Sequence, residues 1–234
     1  MGEPFPAESA RLEAAYARRA DSLEPIPARL RSPGDLFILQ ERERLTARIL
    51  TEAFPDGLGT LRVLDLGCGT GWDLLELRTL GVGSARTVGL DLLAPRLRTA
   101  RQLLPDAALV RAHGGRLPFS SDQFDLILAF TVFSSILDEE QRRTVAGELR
   151  RVIRSGGVLM WYDLRVDNPR NSDVRAVPSR ALADLFPSWS IQLRSVTLAP
   201  PLARMVVPRS WLAAQMLSAL PLLRTHLLGC LRKP

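Results

Sequence analysis

The sequence predicts a doubly wound α/β domain, a mostly parallel sheet with helices on both faces. Three observations carry this. Short apolar runs alternate with segments of helical periodicity through most of the chain, as consecutive β-α-β units require. One such run, Arg62 to Leu66, breaks into Gly67-Cys68-Gly69-Thr70-Gly71, a strand feeding a glycine loop. The next run ends on an acid, Asp91, 20 residues beyond Gly71, where nucleotide-binding α/β sheets hold a ribose hydroxyl.

The elements follow in order. Ala7 to Ala20 has helix-forming composition, and Pro25-Ile26-Pro27 breaks it. A second helix is expected over about Asp35 to Phe54, with Leu36, Leu39, Leu45, Ile49 and Leu50 on its apolar face and Pro55-Asp56-Gly57 after it. Residues 1–57 read as a helical extension or lid, and 58–234 as the main domain. After the glycine loop, Trp72 to Leu80 is a helix closed by Gly81, and Thr87 to Asp91 a strand. Pro95 suits a helix start, with Leu97, Ala100, Arg101 and Leu104 at helical spacing. Ala108 to Ala112 is a third strand. Phe124 to Phe130 is a continuous apolar run that only a sheet covered on both faces would bury. Asp138 and Gln141 form a capping-box pattern. The helix behind them, with Val145, Leu149, Val152 and Ile153 on one face, is expected to stop at Gly156-Gly157. Strands over Gly157 to Leu164 and Ser190 to Leu198 flank a short helix over Ser179 to Phe186. A helical insertion at about 200–222, including a helix from Trp211 to Leu220, precedes a closing strand from Thr225 to Arg232.

Bulk properties narrow the function. The 234 residues suit one large domain, and 46% are apolar. Met1 to Pro6 has no basic or apolar signal region, so no secretory signal is expected and the cytoplasm is the expected location. The apolar stretch from Trp211 to Leu228 is interrupted by Gln215, Pro221, Arg224 and His226, which makes it a poor transmembrane segment. Cys68 and Cys230 show no metal-ligand spacing and read as reduced small hydrophobes; no metal is expected. The formal charge of +6 comes almost wholly from arginine, Lys233 being the only lysine. The arginines are scattered over helices, as codon bias in a GC-rich genome would produce, so a nucleic-acid partner is not expected.

Glycines let a backbone turn sharply and let a ligand approach without meeting a Cβ. The helix behind such a loop points N–H groups at an anion. A dinucleotide dehydrogenase would carry GxGxxG, whereas Asp65-Leu66-Gly67-Cys68-Gly69-Thr70-Gly71 reads DxGxGxG. This form resembles motif I of the class I methyltransferases that use S-adenosylmethionine. Gly89-Leu90-Asp91 resembles the family's second motif. Leu117-Pro118-Phe119 followed by Phe124-Asp125-Leu126, and Leu149 to Gly157, resemble its later passages. About residues 60–165 are similar to the small-molecule branch called methyltransferase type 11; the C-terminal third looks like a bacterial subgroup tied to glycan or natural-product pathways, that is, secondary metabolism. The resemblance implies a Rossmann-like seven-stranded sheet in the order 3-2-1-4-5-7-6 with strand 7 antiparallel. It implies an enzyme whose cofactor is S-adenosylmethionine and whose acceptor is a small molecule, with a hydroxyl on a sugar, glycan precursor or secondary metabolite preferred. RNA or protein methylation and a non-catalytic cofactor-binding scaffold are the alternatives, and a homodimer is left open.

Carried onto this chain, the resemblance gives Gly67, Gly69 and Gly71, with Cys68 between them, to the methionine end of the cofactor, and Asp65 to its ammonium. Asp91 would accept from the ribose hydroxyls, and Leu92 would pack on adenine. Where many relatives have an acid for the adenine amino group, this chain reads Ala112-His113-Gly114-Gly115, so that contact falls to His113 or the Gly114 backbone. No DPPY or NPPY follows the fourth strand, which ends Ala129-Phe130-Thr131-Val132; this speaks against the branch that methylates adenine or glutamine amides. Ligands bind at the carboxyl edge of such sheets. Thr131, Ser134, Tyr162, Asp163 and Arg165 are the candidates there, with Asp163 and Tyr162 as the catalytic pair. The roof is expected from Leu36 to Gln40 or from Pro200 to Leu220. His226 is expected to be structural and far from this edge. The apolar Trp211–Leu220 helix is read first as core, then as an acceptor cover, then as a membrane-interface contact.

Overall fold

The computed structural model describes residues 5–18 and 32–234; the Pro25-Ile26-Pro27 break lies outside them. Two helices, α1 (Pro6–Ala17) and α2 (Pro33–Ala53), lead into the alternating core. That core runs β1 (Val63–Leu66), α3 (Trp72–Thr79), β2 (Thr87–Asp91), α4 (Ala94–Leu103), β3 (Ala108–Arg111) and β4 (Phe124–Phe130). It continues with α5 (Glu139–Val152), β5 (Ile153–Leu164), α6 (Ser179–Leu185) and β6 (Ser190–Leu198). Then α7 (Pro200–Val206) and α8 (Trp211–Ser218) form the insertion before β7 (Arg224–Arg232). The seven strands lie in the order 3-2-1-4-5-7-6. β7 is antiparallel to both β5 and β6, and the remaining pairings are parallel.

The continuous apolar runs are explained by two-sided burial. On one face Leu64, Ile127, Ala129, Leu159 and Trp161 pack with Leu149 of α5 and Leu182 of α6. On the other, Val63, Leu126, Leu128, Met160 and Tyr162 pack with Ile49 and Leu50 of α2 and Leu77 of α3. Each buried Val, Leu, Ile or Met among them stabilises the fold by roughly 1.5–3 kcal/mol relative to exposure. α2 starts at Pro33, two residues earlier than the periodicity predicts, because Ser32 caps it by accepting the Asp35 N–H.

Two expectations are corrected. Gly156-Gly157 does not end α5. The chain is already extended at Ile153, and the glycines lie within β5, where Phe124 pairs with Ile153 but Leu126 pairs with Val158. That excess of residues on β5 is a bulge, and Gly156 takes φ +73° there. His226 is not far from the ligand edge. Because β7 runs antiparallel, it begins where β5 ends, and His226 pairs with Leu164. Among the described residues, no helix is long and apolar enough to cross a membrane.

Candidate cofactor and acceptor site

At the carboxyl edge of β1 the chain turns through Gly67, Gly69 and Gly71 at φ +74°, +57° and +87°. Three left-handed residues in five explain the spacing, since a side chain at any of them is strained. The N–H groups of Gly67 and Cys68 both donate to the Leu90 carbonyl, pinning the loop to β2. The Cys68 side chain turns away from the cleft into a cluster with Leu74, Leu104 and Ala107. Burial first, then Asp65 and Asp91, push its thiol far up, so it packs as an apolar group.

Asp91 stands at the end of β2 as predicted. One carboxylate oxygen accepts the Gly69 N–H at 2.9 Å and the other the Leu93 N–H at 2.8 Å. An ionised carboxylate has about four acceptor positions, which leaves room for ribose hydroxyls. Arg96 approaches the first oxygen at 3.4 Å and lies over Gly69, where a Cβ would come within 2.4 Å of its guanidinium. Asp65 is buried, and burial followed by Asp73 and Asp91 pushes its pKa well up. Among the described residues its Oδ2 has no hydrogen-bond partner. A buried acceptor of this kind fits an incoming ammonium, which both pairs with it and holds it ionised. The cradle is thus suited to an adenosyl group carrying an amino acid.

The cleft beyond Asp91 is lined by Leu92, His113, Gly114, Ile136 and Gln141. The His113 Nδ1 accepts the Gly115 N–H at 2.9 Å, so the ring proton sits on Nε2. The Gln141 amide atom 2.7 Å from Nε2 is therefore the carbonyl oxygen, because two donors cannot face each other. Only half of the predicted capping box forms. Asp138 accepts the Gln141 N–H at 2.7 Å, while the Gln141 side chain goes to His113 instead of back to the cap.

The roof differs from the expectation. Leu12 and Tyr16 of α1 line the cleft, and Tyr16 meets Ser135 through its hydroxyl at 3.3 Å. The Arg96 guanidinium lies 4.9 Å from the Tyr16 ring, and Glu8 accepts the Leu137 N–H. Phe37 and Ile38 of α2 instead pack with Leu198, Ala203, Val207 and Ala214 under the insertion. Leu12, Tyr16, Arg96 and Gln141 escaped sequence reasoning. Only Gln141 carried a signal, its capping position.

Thr131 lines the cleft at φ +56°, unusual for a β-branched residue and a mark of local strain. Its N–H is held by the Tyr162 carbonyl at 2.6 Å. The two predicted catalytic residues are not brought into the cleft. They point to opposite faces of β5. Tyr162 packs on the α2 side, bonded to Thr197 at 2.9 Å and stacked on His226 at 4.7 Å; burial pushes its hydroxyl up to about 12. Asp163 is fully buried and accepts the N–H groups of Ser134 and Leu164. Its Oδ2 braces the turn after β4 through Ser134, its Oδ1 stays on β5 at Leu164, and burial raises it to about 6. Arg165 donates to the Pro221 carbonyl and so ties β5 to the insertion.

The comparisons agree with this geometry. A family model described as "Methyltransferase domain" matches residues 63–157. The chain is 34% identical over 168 residues to trans-aconitate 2-methyltransferase of Azoarcus sp. (strain BH72), covering 71% of this chain and 60% of that protein. It is 35% identical over 130 residues to phthiotriol/phenolphthiotriol dimycocerosates methyltransferase of Mycobacterium tuberculosis, covering 54% and 47%. The chain thus spans about half the length of the curated relatives it matches. Among solved structures, an S-adenosylmethionine dependent methyltransferase from Mesorhizobium loti superposes with a TM-score of 0.59 at 21% identity, covering 82% and 98%. The [4+2]-cyclase SpnF does so with 0.59 at 17%, covering 82% and 80%, so fold alone does not name a reaction. The sheet order and the DxGxGxG loop, joined to these sequence relatives, place the chain in the class I S-adenosylmethionine-dependent methyltransferases.

Proposed function

We propose that the chain transfers a methyl group from S-adenosylmethionine to a small-molecule acceptor, with a hydroxyl of a sugar, glycan precursor or secondary metabolite preferred. The observation that carries this reading is the roofed cleft. α1 lies across the carboxyl edge with Leu12 and Tyr16 turned into it, a setting for a ligand enclosed on several sides. A polynucleotide or folded protein would need that edge open.

When bound, the cofactor supplies an activated methyl on a sulfonium. The residues then have four tasks. Asp65 receives the ammonium, and Asp91 holds the ribose. Leu92, His113 and Gly114 border the base. Thr131 and the Val132 backbone shape the wall facing the acceptor. Alignment of this sort is worth on the order of 7–11 kcal/mol of barrier. Phthiotriol and trans-aconitate in the names of the relatives are both acceptors smaller than a macromolecule. The test is transfer of tritiated methyl against a panel of small hydroxyl and carboxyl acceptors, with total RNA alongside. Label in a small acceptor supports the proposal; label in RNA alone, or in nothing despite cofactor binding, contradicts it.

A further inference from the structure

Every large hydrophobic side chain that the described residues leave exposed lies at one edge of the molecule. They are Val166 after β5, Met205 in α7, and Trp211, Leu212, Met216, Leu220 and Leu222 in and after α8. Leu212, Met216 and Leu222 are 70%, 61% and 91% exposed. β6 runs parallel to β5, so the insertion leaves the sheet at its carboxyl edge, the edge that carries the cofactor loop and Thr131. The inward side of α8 is spent on Ala214 and Ser218. Leu212 and Met216 then form an outward pair at i and i+4, with Leu220 exposed just past the helix end. The core reading of this helix holds for Leu217, which packs under the insertion, and for the edge of Trp211 against Phe37, and is corrected for Leu212, Met216 and Leu220.

A grouped apolar surface of this kind marks a contact with something else. Charge says what. From Ala199 to Arg224 the sequence holds no Asp or Glu, but Arg204, Arg209 and Arg224. Arg209 is exposed beside Trp211. Among the described residues, Asp35 pairs with Arg204, Glu41 accepts the Thr197 N–H and Asp167 accepts the Ala176 N–H. A second copy docked by two-fold symmetry would bring two such edges together with no acid of the insertion to meet Arg209. An anionic lipid surface supplies both the apolar layer and the opposite charge.

We propose that the α7–α8 edge docks on an anionic lipid bilayer, with Leu212, Met216, Leu220 and Leu222 in the acyl boundary and Arg209 at the headgroups. The docking does not rest on the methyl-transfer reading.

The test is co-sedimentation with vesicles of equal phosphatidylglycerol and phosphatidylcholine, against phosphatidylcholine alone. The full chain and the variant L212E/M216E are compared, with S-adenosylhomocysteine calorimetry on the same samples. Both substitutions fall on exposed positions, so the fold and cofactor binding are expected to persist. The expected result is partition onto anionic vesicles that falls at least tenfold in the variant, in R209E, on neutral vesicles and in high salt. Docking is overturned if the full chain stays in the supernatant, or if the variant sediments equally. It is also overturned if light scattering shows a dimer that L212E/M216E makes monomeric, which would name a second copy as the occupant. Loss of S-adenosylhomocysteine binding in the full chain would instead break the methyl-transfer reading and leave the vesicle result standing.

Discussion

The two halves of the sheet do different work. In the β1–β2–β3 half, function lies in the backbone. Three left-handed glycines, a loop pinned to Leu90, and Asp91 bonded to two N–H groups define the cradle. In the β5–β7–β6 half, polar residues at the same edge are turned inward and brace one another: Asp163 on the turn after β4, Tyr162 on Thr197 and His226. A polar residue at a ligand edge is therefore not by position a ligand residue. The first half presents its groups to the cleft, and the second consumes them in structure.

The largest expected effect sharpens this contrast through pH. Burial raises Asp163 from 3.8 to about 6, so the folded state holds its proton more tightly than the unfolded chain. Its contribution to stability is present below pH 3.8 and lost as pH rises through 6. Burial lowers His226 from 6.5 to about 4. That contribution is present above pH 6.5 and lost as pH falls through 4. Each is worth about 3 kcal/mol, and in the wild type they oppose each other over the same window. Asp163→Asn should steepen the rise of stability between pH 4 and 6.5 by about that amount, and His226→Gln should tilt it the other way. Denaturant unfolding at several pH values measures both; parallel profiles for all three proteins would show that these groups are not buried as described. Affinity for S-adenosylhomocysteine should not change in Asp163→Asn, which separates bracing from ligand contact.

Next in size is Asp91→Ala. Charge-assisted bonds of this kind contribute about 1.5–3 kcal/mol, so cofactor affinity should fall roughly ten- to a hundred-fold. Titration calorimetry reads it, and an unchanged dissociation constant would remove Asp91 from the site. Smaller still is the roof. Leu12→Ala with Tyr16→Ala should raise the dissociation rate of S-adenosylhomocysteine about tenfold, or ~1.4 kcal/mol, seen by stopped flow. An unchanged rate would mean that α1 does not cover the bound ligand.

The same contrast explains what was legible in the sequence. β4 reads true to its ends because a nearly continuous apolar run has one solution in a sheet buried on both faces, and β6, the edge strand, does so because its exposure alternates from Ser190 to Ser195. The cradle was legible because it is local. Gly67, Gly69 and Gly71 lie within five residues, and their conformation alone demands glycine. Asp163 and Tyr162 were legible as edge residues but not as inward-facing ones, because their partners Ser134 and Thr197 are far away in sequence. Tyr16 and Arg96 were hidden for the same reason: their meeting over Gly69 depends on how α1 crosses the sheet. His226 was misplaced by a direction, since an antiparallel last strand starts where its neighbour stops.

The central claim is that the glycine cradle and Asp91 accept an adenosyl amino acid and not a dinucleotide. Calorimetric titration of the full chain with S-adenosylhomocysteine, and separately with NAD, tests it most directly. The account predicts saturable one-site binding of S-adenosylhomocysteine and no heat of binding with NAD. Tight NAD binding with no response to S-adenosylhomocysteine would contradict it.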